Sequence, residues 1–470
     1  MNIQNQSNFS LFWVENSRIL RIYLSILGLL VVGMTAYLLI NEDFKLLGAI
    51  YLPIIFIIVV SSPKLSVYQF VFFIFTNYLF IAEPVVLLVD LSAVLVIMAA
   101  LFDVLLKGEN KLSFPKLFYN YVFILIVFTI VALFSYNPGL GVKPILRIVL
   151  QLVTFLSLFR LVRYFSIEKL LKLFYFFALF HASVAILPFL GGGNIERVFG
   201  FARSTLDDLL MIALPIGVVF YLFADKNKKY LYAASILPIT AVLIATQSRL
   251  SILFGFAFSV FALLVCFRMG KTGRFSSLEN KRILKRLKSI VLLLGTSVIL
   301  FIMLLPEQFG ALIERYSSLL TSAPSETFLV RLVLWQNALM TFYDNPVLGI
   351  GLGHYKILST LYPSIHQHYM FQYIQHYSAH NLVLHYLAEA GLVGAAAVLA
   401  FFINQFRLTL KIFNMKNLRM NSQTIILSLV SLIIFLTTFI EAGWLWGQIG
   451  FVALFFLVLI VKNYTDITEA

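Results

Sequence analysis

Apolar stretches of roughly 17–25 residues recur along nearly the whole chain, divided by short polar turns, and each is long enough to cross a hydrocarbon layer about 30 Å thick. That pattern leaves few folds open. Inside lipid every backbone N–H and C=O must be paired internally, so a spanning segment is a helix or a strand of a closed barrel. Barrel strands alternate polar and apolar residues over about ten positions, whereas runs such as VLLLGTSVILFIML (291–304) are unbroken. The sequence therefore predicts an all-α, polytopic membrane protein. Candidate spans lie at 19–40, 46–61, 66–83, 85–106, 117–137, 144–159, 171–190, 206–224, 230–247, 250–267, 289–305, 381–404, 423–440 and 443–461. The second and sixth are short enough to be re-entrant or tilted, which gives twelve to fourteen spans.

Composition agrees. Only 12% of the residues are charged and the mean hydropathy is +0.95, whereas soluble domains keep about a quarter of their residues charged. The polar opening MNIQNQSNFSLFWVENSR has no small-residue cleavage site behind a short apolar core, so no removable signal peptide is expected. The single cysteine, Cys266, sits inside an apolar run and rules out a disulfide framework or a CxxC metal site.

A net charge of +14 would fit a nucleic-acid partner if it were clustered on one soluble face. Its distribution says otherwise. Residues 268–288 carry eight Lys and Arg, and such loops stay on the cytoplasmic side. Alternating outward from that loop puts 26 of the 35 basic residues inside and nine outside. Both termini are then expected in the cytoplasm, and the charge serves orientation against anionic membrane lipid. No nucleic acid is implied.

Residues 306–380 form the one long segment between spans, external by this topology. The chain accordingly divides into an N-terminal bundle (1–305), an external loop (306–380) and a C-terminal helical part (381–470). Loops of this length are usually functional. Within it, SETFLVRLVLWQNALMTFYDNP reads as a helix with Ser325 as N-cap and an apolar face through Leu329, Val333, Ala338 and Phe342. Asn345-Pro346 ends it, and GIGLG (349–353) allows a tight backbone path.

Six of the seven histidines fall between 354 and 385: His354, His366, His368, His376, His380 and His385. Most such rings are caps or interfacial packing. His380 differs, because Asn381 and Glu389 follow it where the chain re-enters the bilayer. His376 and His380 stand four apart, as zinc ligands do on a helix, but no carboxylate ligand lies between them and no metal is expected. Arg249, at an external turn between spans, is costly there unless paired or functional; snorkelling to headgroups is the plain alternative. Arg331 shares a helix face with Trp335, with a surface pair to Glu326 as its plain alternative. Arg197 and Arg203 flank a further external turn. External acids such as Glu196 and Asp344 show that this side is not generally basic. Individually placed arginines on such a face suit a discrete anion, because the guanidinium fork matches phosphate oxygens.

The run RLVLWQNALMTFYDNPVLGIGLGHY…AHNLVLHYLAEAGLVG (331–394) resembles the signature region of the O-antigen ligase and polymerase family of bacterial membrane glycosyltransferases. The matching positions are Arg331, Trp335, Asn345, Pro346, Gly349, Gly351, His380, Asn381, Glu389, Gly391 and Gly394. TQSRLSILFG is similar to the family's upstream Ser-Arg element and supplies Arg249. ERVFGFARSTLDDLLMIALPIG (196–217) resembles its Arg-x-x-Gly element, but has Ser204-Thr205-Leu206 where Asn-Pro-Asn is common.

The resemblance implies transfer of an undecaprenyl-diphosphate-linked glycan to an acceptor hydroxyl on the periplasmic face of the bacterial inner membrane, inverting and without metal or other cofactor. The donor would be held by Arg249 and Arg331, with His380 as or beside the base. Arg197, Arg203, Trp335, Asn381 and Glu389 would contact diphosphate or glycan. The acceptor would be lipid A–core for a ligase or a second lipid-linked glycan for a polymerase, and a protein O-oligosaccharyltransferase shares the same signature. From another class, a transporter or flippase for lipid-linked sugars would use fourteen spans and membrane acids such as Asp90 and Glu441. It predicts paired, interrupted repeats, which the sequence lacks. A purely structural membrane partner leaves the Arg/His pattern without a purpose.

Overall fold

Why each helix begins where it does is a matter of side chains placed at span edges. The computed structural model describes residues 62–75, 88–107, 115–190, 205–304, 306–317, 326–357, 378–415, 421–439 and 447–469. They contain α1 (Pro63–Phe75), α2 (Leu88–Lys107), α3 (Lys116–Leu133), α4 (Pro138–Leu161), α5 (Ile167–Leu190), α6 (Leu206–Phe223), α7 (Lys228–Ala245) and α8 (Arg249–Lys271). There follow α9 (Ser277–Leu304), α10 (Pro306–Ser317), α11 (Glu326–Asp344), α12 (Leu382–Asn414), α13 (Ser422–Thr437) and α14 (Gly447–Glu469). Asn137, Asn381 and Asn421 cap α4, α12 and α13, each accepting a bond from an N–H of the first turn, which satisfies donors that a helix start leaves orphaned.

Among the described residues nine helices, α3 to α9, α12 and α14, are long and apolar enough to cross a membrane, and α1 and α13 are shorter apolar helices. Every expected span from 66–83 onward overlaps one helix within the described residues; those at 19–40 and 46–61 lie outside them. The sixth is not short. α4 begins at Pro138, six residues before the expected start, and runs through Pro144. A proline at the first position needs no N–H donor and so opens a helix well. The basic loop is also shorter than expected, because α8 continues to Lys271 and α9 starts at Ser277. A capping box starts α9: Ser276 N–H donates to Glu279 Oε2 (3.1 Å), and Glu279 N–H donates to Ser276 Oγ (3.3 Å). Hydropathy marks where lipid ends, and charged residues carry the helix past that point.

The centre is α6, buried along almost its whole length and packed against α7 and α8. Gly255 of α8 lies against Leu243 and Met211, letting helices approach as small residues do in membranes. Around Phe174, rings from two other helices interlock: Phe75 of α1 and Phe456 of α14 at 4.8 Å between centroids and Phe455 of α14 at 6.3 Å. The outer surface is apolar too. Leu105, Phe123, Leu253, Leu264 and Leu292 are all exposed, a surface that suits lipid rather than water.

Hydrogen bonds between helix ends sort them into two ends of the bundle. At one, Asp103 accepts from Arg160 Nε (2.8 Å), Arg163 Nη2 (3.0 Å) and the Tyr164 hydroxyl (2.5 Å). Arg286 there donates to the carbonyls of Tyr221, Leu222 and Ala224 that end α6, and Arg274 donates to Phe413 O (2.7 Å). The opposite end carries the starts of α4, α6, α8 and α12.

Candidate active site

The GIGLG segment has a structural purpose. α12 is broken at Gly391, whose φ of 62° and ψ of −162° are far from helical. In an unbroken helix the Leu392 and Val393 N–H groups would donate to Ala388 and Glu389. Here Leu392 N–H donates to Pro346 O (2.9 Å) and Val393 N–H to Val347 O (3.4 Å). The two carbonyls accept instead from Ile350 N–H (3.0 Å) and Gly351 N–H (2.9 Å). Loop 346–351 is thus laid into the break like a strand. Gly391 must lack a Cβ because Val347 O is against it, and Gly349 because the Glu389–Ala390 backbone is against it.

Three side chains lock this clasp. Glu389, 2% exposed, accepts from Tyr355 N–H at Oε1 (3.0 Å), while its Oε2 stands 3.5 Å from His385 Nε2. Tyr355 donates its hydroxyl to Leu334 O of α11 (2.5 Å). Burial, with Glu389 adding repulsion, pushes this phenol above its ordinary range, so it remains a donor. His354 is fully buried; its Nδ1 donates to Leu352 O (3.1 Å) and its Nε2 accepts from Asn137 N–H (3.1 Å). The loop is thereby fastened to α11, α12 and the α3–α4 turn.

His380 stands just before this plate, half-buried, with φ of 46°. Asn381 follows as the N-cap, its Oδ1 accepting from Leu384 N–H (3.0 Å). Leu382 N–H donates to Thr438 O (3.1 Å), which ties the start of α12 to the end of α13. Arg249 is the first residue of α8 and also half-buried. Before it comes Gln247 with φ of 55°; Gln247 and His380 are the non-glycine residues with positive φ among those described. Ser251 donates to Asp207 Oδ2 (2.9 Å) and Ser248 to Ser251 Oγ (3.0 Å), bracing the turn against α6.

Arg249 and His380 therefore lie at the same end of the bundle, each beside a strained helix start. Arg331 and Trp335 sit on one face of α11, half-buried, and Val333, Leu334 and Ala338 of the same helix are buried. The Trp335 indole N–H is buried and donates to nothing among the described residues. Arg197 and Arg203 lie outside the described residues, as do His366, His368 and His376. Asp207, Tyr355 and His354 emerge as positioning groups that the sequence reading passed over. For Asp207 the signal was an acid in the first turn of a span; for Tyr355 and His354 it was their place directly after three glycines.

Residues 233–399 match the Wzy_C family, described as O-antigen ligase. The matching segment begins in α7 and ends in α12, taking in Arg249, Arg331, Trp335, the glycine loop, His380 and the break at Gly391. The match is a similarity of this segment, 167 of the 470 residues, to that family. No curated protein matches the sequence.

Proposed function

We propose that this protein is a membrane glycosyltransferase of bacterial surface-polysaccharide synthesis. It moves a glycan from an undecaprenyl-diphosphate carrier to an acceptor hydroxyl, lipid A–core or a second lipid-linked glycan, at the periplasmic end of the bundle. The observation that carries the reading is the pairing of Gln247 and His380: the left-handed backbone of non-glycine residues falls at the two helix starts that present Arg249 and His380. Such strain persists where the surroundings hold it and collects at working sites.

In this reading the acceptor hydroxyl gives its proton to His380 while its oxygen bonds to the anomeric carbon from the face opposite the carrier. The bond from that carbon to the diphosphate oxygen breaks, configuration inverts, and the electron pair leaves with the diphosphate. Arg249 and Arg331 offset the charge that grows there. Asn381 and Glu389 are positioning residues, since the Asn381 oxygen caps α12 and both Glu389 oxygens face partners inside the fold. Trp335 turns its ring to the glycan. A carrier-transport reading loses one of its membrane acids, because Asp90 is held by Arg147 Nη2 at 2.7 and 2.5 Å.

The test uses purified protein in lipid with an undecaprenyl-diphosphate oligosaccharide, with and without lipid A–core. His380→Ala should lower turnover about 10²–10⁴-fold, and Arg249→Lys or Arg331→Lys about 10²-fold, with folding intact. A ladder of products without the core marks a polymerase; one addition that requires the core marks a ligase. Near-normal turnover of His380→Ala removes the proposed base, and carrier movement with no covalent product overturns the reading.

A further inference from the structure

The charged end of the bundle holds a second site. Between the start of α3, the last turns of α12 and the end of α14 lies a cavity of about 580 Å³. Lys116, Arg407 and Lys411 line it together with Asn120, Asn404, Tyr464 and Thr465. No aspartate or glutamate lines it. The nearest acid along the chain, Asp466, is 3.0 Å from Lys462 instead, and Lys116, Arg407 and Lys411 make no ion pair among the described residues. Three cations converging on one cavity repel one another unless an anion lies between them.

We propose that this cavity binds the phosphate headgroup of an anionic glycerophospholipid. Phosphate is the group that matches an arginine and two lysines at once. A lipid rather than a soluble ester follows from the surroundings. Leu117, Leu408 and Val461 also line the cavity, and α3 continues towards the membrane interior with exposed Tyr119, Phe123 and Ile126, a path for acyl chains. Basic pockets between spanning helices take such headgroups. This end is separate from the candidate active site: α3 and α12 each run from one to the other. The inference uses the bundle's membrane placement and not the glycosyl-transfer chemistry, so either can fail alone.

Native mass spectrometry of the detergent-purified chain reads the site directly. Wild type should retain added phosphatidylglycerol or cardiolipin and not phosphatidylcholine. The triple variant K116Q/R407Q/K411Q should bind the anionic lipids on the order of 100-fold more weakly, given about 1 kcal/mol per basic residue. Should the triple variant not fold, Asn404→Asp, which adds a carboxylate of nearly the same shape, should weaken retention by itself. Equal retention by wild type and the folded variants overturns the proposal, since the lipid would then be bound around the whole perimeter. If glycerol 3-phosphate at equal concentration displaces the lipid fully, the ligand is a soluble phosphate ester and the lipid assignment falls.

Discussion

The two ends of this bundle solve the same problem, how to hold helix ends together, in different ways. The charged end uses side chains: one aspartate gathers two arginines and a tyrosine, and Arg286 and Arg274 close helix carbonyls. The opposite end relies on backbone geometry, locked by Glu389, Tyr355 and His354. Of the seven described residues with positive φ, all except Gly273 belong to it, and its central joint is a loop threaded into a broken helix. Side-chain charge orients and clamps, and it tolerates some movement. A backbone joint has no rotamers to lose. The difference teaches where rigidity is needed.

Substitutions that strike one end should separate these modes. The largest effect is expected for Gly391→Val: its dihedral angles suit glycine, and the new side chain meets the Val347 carbonyl. A loss on the order of 4 kcal/mol or more should appear as failure to recover folded protein on detergent size-exclusion chromatography. At the other end Asp103→Asn leaves Arg160, whose side chain is 7% exposed, without its countercharge, for about 3 kcal/mol read by thermal unfolding. Glu389→Ala orphans the buried Tyr355 N–H and should cost about 1–3 kcal/mol. Glu389→Gln keeps that acceptor, so it should remain close to wild type in stability; an equal loss in both variants would show that the charge beside His385 matters more than the amide bond. The smallest change belongs to Gly273→Ala, with φ of 71° but nothing within 4 Å of the new methyl. It should cost about 1 kcal/mol, and a larger value would erase the contrast between the ends.

Much of this was legible in the sequence. Hydropathy located each described span, because burial in lipid leaves a long apolar run whatever the packing. Charge ordered the ends, since basic residues collect at one of them. The helix of α11 and its stop at Asn345-Pro346 followed from local chemistry. What the sequence could not convey is which groups meet across distance. Glu389, for one, accepts from Tyr355 N–H, 34 positions away. The break at Gly391 was hidden for a related reason: LAEAGLVGAAAVLA is a good helix by propensity, and only the loop that replaces its hydrogen bonds makes an interruption stable. The α9 capping box was legible in SLEN with its preceding Ser276, but hydropathy drew the boundary first.

The clasp also limits what can change in this region over generations. Surface loops ordinarily absorb insertions and deletions with ease. In 346–351, two carbonyls and two amides are matched one by one to positions in α12, as in a β-ladder, where a slip of one residue turns every side chain to the opposite side. Adding or removing a single residue there would put Gly349 and Gly351 out of step with the places that need them. This loop can therefore vary in spelling but not in length, and the distance from Asn345 to His354 behaves as a ruler built into the chain.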